Sequence, residues 1–143
     1  MENMEFKVSA QSENPTKTVV NAGGFTITID EPAELGGTNA GANPVEFVLA
    51  SLAGCINVMA HVAAGEMGMN LRGVTTSIAG VLNPSKLFGE PTAARAGFQA
   101  IEVKLTPDCD ADSATIEKWL EVIADRSPVL DNLVNATPVK ITL

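Results

Sequence analysis

The chain is 143 residues long, with 45% apolar and 18% charged residues, a composition that supports one sizeable core and a single domain over residues 1–143. Seventeen acids against nine bases give a formal net charge of −8, so the field around the protein repels phosphates and argues against a nucleic-acid partner. Two cysteines and one histidine are too few for a disulfide scaffold or a four-ligand metal centre, and neither a metal nor a cofactor is expected.

The opening residues Met1 to Lys7 lack the apolar core of a secretory signal, and a cytoplasmic location is expected. Extended structure follows. Phe25-Thr26-Ile27-Thr28-Ile29-Asp30 alternates strictly behind the turn-like Asn21-Ala22-Gly23-Gly24, which predicts a hairpin with Thr16–Val20. The Gly-rich run Leu35–Ala42 has no lysine after its glycines, so it reads as a connector and not as a phosphate loop.

Asn43-Pro44-Val45-Glu46 has the form of a helix start, with Asn43 as N-cap, Pro44 at the first helical position and Glu46 at the third, closing a capping box. The helix is expected to run to about Met67, with Gly68 as its stop. Val48, Leu52, Cys55, Met59 and Val62 recur along it as a heptad-like apolar stripe, placing Cys55 on the buried face. Ser51, Asn57 and His61 interrupt the apolar run and argue against a membrane span. His61 lies six positions from Cys55, on a different face at roughly 100° per residue, so a Cys-His catalytic pair is not expected.

Val74–Leu82 and Gly97–Thr106 read as a second antiparallel pair. From Asp112 or Ser113 a second helix presents Ile116, Leu120 and Ile123, with Ser127 continuing that face before Pro128. Pro138–Leu143 is expected to close the chain as a strand. Strands, long helix, strands, helix and strand in one short chain indicate an α+β fold.

A buried cysteine is ordinarily core filler, and a nucleophilic one needs a stabilised thiolate. The residues of Cys55 alone leave both readings open. However, the Gly-rich approach followed by Asn43-Pro44-Val45-Glu46 and by Ala53-Gly54-Cys55 resembles the superfamily of osmotically inducible protein C and organic hydroperoxide resistance proteins, OsmC/Ohr. Arg126-Ser127-Pro128-Val129, with Asn132 and Leu133 beyond, resembles that family's Cys-Pro-Val segment.

The resemblance implies antiparallel sheets packed around a long central helix, in an intertwined homodimer whose sites lie at the subunit interface. It also implies a two-cysteine hydroperoxide reductase with Cys55 as the reactive thiol, converted to a sulfenic acid and reduced by a dithiol. Ser127 stands where the family's second cysteine falls, and a serine can hydrogen-bond to sulfur but cannot close a disulfide. The family's N-terminal arginine has no counterpart before Arg72, and Val45 follows Pro44 where a glutamate is common. Glu46, one place later, is a further candidate site residue, although it lies roughly 13 Å along the helix from Cys55 on the opposite side.

Cys109, in Pro107-Asp108-Cys109-Asp110, reads as a loop thiol between carboxylates that disfavour a thiolate. A helix of roughly 20 Å between it and Ser127 separates it from any resolving role. Three functions remain. The first is a one-cysteine peroxidase that takes an external thiol or dithiol as reductant. The second is a non-enzymatic protein that binds an apolar or electrophilic small molecule at the dimer interface. The third is a structural stress protein acting through dimerisation.

Overall fold

A computed structural model describes residues 1–143 as five strands and three α-helices. The chain divides into two compact units, Met1–Val48 and Leu49–Leu143.

The first unit is a three-stranded antiparallel sheet of β1 (Val8–Ser12), β2 (Thr18–Ala22) and β3 (Phe25–Ile29), in that order. The expected hairpin is present, with its first strand at Thr18–Ala22 in place of Thr16–Val20, so that Asn21 and Ala22 belong to the ladder and not to the turn. It pairs Thr18 with Ile29 and Ala22 with Phe25, and Gly23 and Gly24 supply the two positive φ angles, 59° and 85°, that its two-residue turn requires. Asn14 shapes the β1–β2 turn by accepting the backbone N–H groups of Thr16 at 2.9 Å and Lys17 at 2.7 Å.

Beyond β3 the backbone folds around the buried carboxylate of Asp30, which is fully inaccessible to solvent. It accepts the N–H groups of Glu31 (2.8 Å), Thr38 (3.0 Å) and Ala40 (3.1 Å) and the Thr38 hydroxyl. These donors replace the water that burial removes. Led by the Thr38 hydrogen bond, they hold the Asp30 carboxyl well below the usual carboxylate range against the opposing effect of desolvation.

The long helix α1 (Pro44–Glu66) begins at the end of the first unit. Its capping box forms as the sequence predicts: the Asn43 N–H donates to Glu46 Oε2 and the Glu46 N–H to Asn43 Oδ1, both at 2.9 Å. Its end is also as expected, with Met69 N–H bonded back to Ala64 O at 2.8 Å around Gly68. The buried stripe differs from the heptad reading. It runs Leu52, Ile56, Ala60, Ala63 and Ala64, while Val62 is exposed and Cys55 only half-buried. A straight helix drifts about 20° per heptad from a 3.5-residue repeat, so the stripe moves round to later positions.

In the second unit, β4 (Leu71–Leu82) and β5 (Phe98–Cys109) form a long antiparallel hairpin. Alternation puts Val74 and Ile78 on one strand, and Ile101, Val103 and Leu105 on the other, against the α1 core. Helices α2 (Ser113–Arg126) and α3 (Pro128–Val134) follow. Helix α2 buries Trp119 and Ile123, and Leu120 is 41% exposed. The apolar face is therefore set by the bulkier indole and not by Leu120.

By length and composition α1 is apolar enough to cross a membrane. Its buried stripe nevertheless forms the core of this α+β unit.

Two further expectations change. Cys109 is the last residue of β5, paired with Leu71, and not a loop residue. Pro138–Leu143 forms no strand: Val139, Ile141 and Leu143 alternate as predicted, but are 82%, 94% and 129% exposed. A strand exists only through a pairing neighbour, and this segment has none within its own chain.

Candidate functional site

Helix α1 carries Cys55 in its middle, and the α2–α3 junction brings Ser127 to it, with Cys55 Sγ and Ser127 Oγ 3.0 Å apart. Ser127 is 1% exposed. Local sequence dictates its place. Pro128 cannot continue α2 but suits the first position of a new helix, so Ser127 closes one helix and caps the next. Its N–H donates to Ile123 O at 3.1 Å, ending α2. Its hydroxyl oxygen accepts the Leu130 N–H at 3.3 Å, capping α3. The capping and thiol-contacting roles of Ser127 thus coexist on one oxygen.

Between thiol and hydroxyl either group can donate, but ionisation or oxidation of the sulfur gives the contact a polarity. A hydroxyl has one proton to give and two lone pairs. With one lone pair taken by Leu130, the proton remains free to point at Cys55 Sγ, and opposite a thiolate or sulfenate the hydroxyl must be the donor. No disulfide can form across the pair, since oxygen replaces the second sulfur, and both cysteines are free thiols. Cys109 precedes the N-terminal end of α2 and Ser127 follows its C-terminal end. The 14-residue helix between them is about 21 Å long.

Glu46 lies in the exposed first turn of α1, bonded into the capping box. His61 is exposed, with Nδ1 2.9 Å from the Asn57 carbonyl one turn back. Arg72 pairs with the carboxylates flanking Cys109, reaching Asp108 Oδ1 at 2.6 Å and Asp110 Oδ2 at 2.7 Å. No cluster of three or more histidine, cysteine or acidic side chains could hold a metal ion.

Two contacts that support the site were not read from the sequence. Trp119 Nε1 donates to Ala60 O at 2.8 Å in the core, fixing α2 on α1. Arg126 reaches across to Glu66 at the end of α1, with Nη1 to Oε2 at 2.5 Å and Nη2 to Oε1 at 3.2 Å. Those hydrogen bonds hold the Glu66 carboxyl below its ordinary value. The tryptophan's spacing from Ile116 and Ile123 was the available signal for the first contact. Nothing local in the sequence signals the second.

Two small antiparallel sheets, a long helix carrying a thiol at mid-length and a hydroxyl presented to it from a helix junction define an α+β protein of the OsmC/Ohr fold. The sequence model of the OsmC-like protein family matches residues 37–142, and the chain belongs to that family. It is similar to the OsmC-like protein of Mycoplasma pneumoniae at a TM-score of 0.81 and 18% identity, over 94% of this chain and 91% of that one. An organic hydroperoxide resistance protein OsmC of Legionella pneumophila aligns at a TM-score of 0.66 and 17% identity, over 95% and 93%. A Vibrio cholerae organic hydroperoxide resistance protein, with captopril bound in one of its active sites, aligns at 0.62 and 20%, over 94% and 88%. These likenesses establish the fold. No curated protein matches the sequence.

Proposed function

We propose that the chain is a stress-response protein that reduces organic hydroperoxides with one protein thiol, Cys55, and an external small thiol or dithiol. The observation that carries this reading is the 3.0 Å contact between Cys55 Sγ and the buried Ser127 hydroxyl. In the proposed cycle the Cys55 thiolate attacks the terminal peroxide oxygen, the O–O bond breaks, and the alkoxide leaves and takes up a proton as the alcohol. The sulfur, oxidised to a sulfenic acid, accepts a hydrogen bond from Ser127. An external thiol then condenses with it, releasing water and leaving a mixed disulfide, and a second thiol restores Cys55. Ser127 acts only by hydrogen bonding, Glu46 acts through the helix it caps, and no cofactor takes part.

The active form is proposed to be a homodimer. In support, Val139, Ile141 and Leu143 form an apolar alternating segment without a partner, and α1 leaves Val58 60% exposed. Sedimentation at micromolar concentration tests this, and a monomer sinks it. For the activity, tert-butyl hydroperoxide consumption with dithiothreitol or dihydrolipoamide should depend on Cys55. Equal rates for wild type and Cys55→Ser would end the redox reading.

The second reading is an apolar or electrophilic ligand held at the dimer interface beside Cys55, favoured by the captopril in the active site of the Vibrio cholerae neighbour. An intact small molecule carried through native mass spectrometry, with Cys55 unreactive to peroxide, would select it.

A further inference from the structure

We propose that the Glu66–Arg126 ion pair is a positioning device that holds the Ser127 hydroxyl in register on the Cys55 sulfur. The inference rests on reading Cys55 and Ser127 as the working pair, and it adds what keeps them together.

Helix α2 is fastened to α1 at its middle by the Trp119 hydrogen bond to Ala60 O. With Ile123, also buried, Trp119 seats one face of α2 on the core, but apolar packing is non-directional and does not by itself fix the orientation of the helix end. Arg126 lies seven residues beyond Trp119, about 10 Å along the axis, and supplies a second point of attachment. Its two N–H groups meet the two carboxylate oxygens separately, so the contact constrains orientation as well as distance. Ser127 is the next residue, one Cα step of about 3.8 Å away. Its backbone is still bonded into α2 through Ile123 O. Any pivot that parts Arg126 from Glu66 therefore also moves the hydroxyl from the thiol.

The placement of Glu66 supports a geometric role. Eleven residues after Cys55 on a helix is three turns plus about 20°, so the ion pair and the thiol–hydroxyl pair lie on one side of α1. A carboxylate in the last turn of a helix is unfavourable to that helix's own dipole, so α1 gains nothing from it alone. An ion pair exposed at 43% and 55% of its side-chain surfaces adds little net stability. What it does supply is alignment.

The test measures how often positions 55 and 127 meet in the folded protein, with no peroxide present. In a Ser127→Cys background, the two thiols and oxidised glutathione equilibrate with the protein disulfide and two reduced glutathiones. Peptide mapping quantifies the 55–127 bond under native conditions, with the fold checked by far-ultraviolet circular dichroism. Adding Glu66→Gln or Arg126→Gln should lower the equilibrium constant by about 1.5- to fivefold, the range open to an exposed pair. The two together should lower it by no more than either alone. Arg126→Lys, which keeps the charge but loses the fork, should also lower it. Glu117→Gln, on the exposed surface of α2, should leave it unchanged. A Glu66→Gln constant equal to that of Glu117→Gln overturns the proposal. Because the measurement is an equilibrium within the folded state, a loss of global stability does not move it. Because peroxide is absent, failure of the peroxidase reading leaves the result readable.

Discussion

Replacing Ser127 by cysteine should convert the site into a disulfide switch, and the geometry sets the size of the effect. The two side-chain atoms already lie 3.0 Å apart, 72 positions apart in sequence, and a disulfide closes to about 2.05 Å, so the movement needed is about 1 Å. Cross-linking a loop of that length removes about 15 cal/mol/K from the unfolded chain, or about 4 kcal/mol at 25 °C in the chain-entropy account. The cap loses its hydroxyl, which costs about 1 kcal/mol in both redox states. Reduced Ser127→Cys should therefore be about 1 kcal/mol less stable than wild type, and the oxidised form about 3 kcal/mol more stable. Urea melts of the oxidised and reduced variant, with peptide mapping of the cross-link, provide the measurement. A folded variant that forms no 55–127 bond under mild oxidation would refute the contact, and a bond that leaves the midpoint unmoved would refute the loop argument.

Trp119→Phe keeps the ring in the core but strips the Ala60 carbonyl of its extra donor, and should cost about 1–3 kcal/mol in a denaturant melt. Trp119→Ala should cost about 3–5 kcal/mol. The Asp30 carboxyl is lowered on folding, so its stabilisation is complete above the unfolded value of about 3.9 and is lost as pH falls through the lower folded value. Hydrogen-exchange protection factors at Thr38 and Ala40, taken against the intrinsic rate at each pH, should accordingly fall in acid in the wild type, and in Asp30→Asn they should already be lower at neutral pH, with a flatter acid dependence. A Cβ on Gly41 would sit 2.3 Å from Thr28 O, a clash with backbone that cannot rotate away, so Gly41→Ala should destabilise by about 1–3 kcal/mol in the same melts.

Much of the fold was legible because local chemistry decides it. Asn43, Pro44 and Glu46 specify a helix start through bonds among neighbours, and Gly23-Gly24 between alternating runs specifies a hairpin. The faces of α1 were less legible. A helix that is apolar nearly all round has no charged side to orient it, and the buried stripe depends on what packs against it. The α2 face went to Trp119 in place of Leu120 because indole fills a larger volume, a tertiary choice that periodicity alone does not make. Pro138–Leu143 has the pattern of a strand, but a strand also needs a pairing neighbour, and none lies within the chain. At the site, family likeness brought Cys55 and Ser127 together. The fork from Arg126 to Glu66 joins residues 60 positions apart, and no local pattern marks such a contact.

Trp119 is the only tryptophan in a chain without tyrosine, and it lies wholly within the core with its N–H on α1. The protein thereby carries a single intrinsic fluorophore at the point where α2 docks. Its emission should be blue-shifted while the helices are seated and should move toward the red as they separate. Stopped-flow fluorescence can then follow the docking that brings Ser127 to Cys55, without any added label.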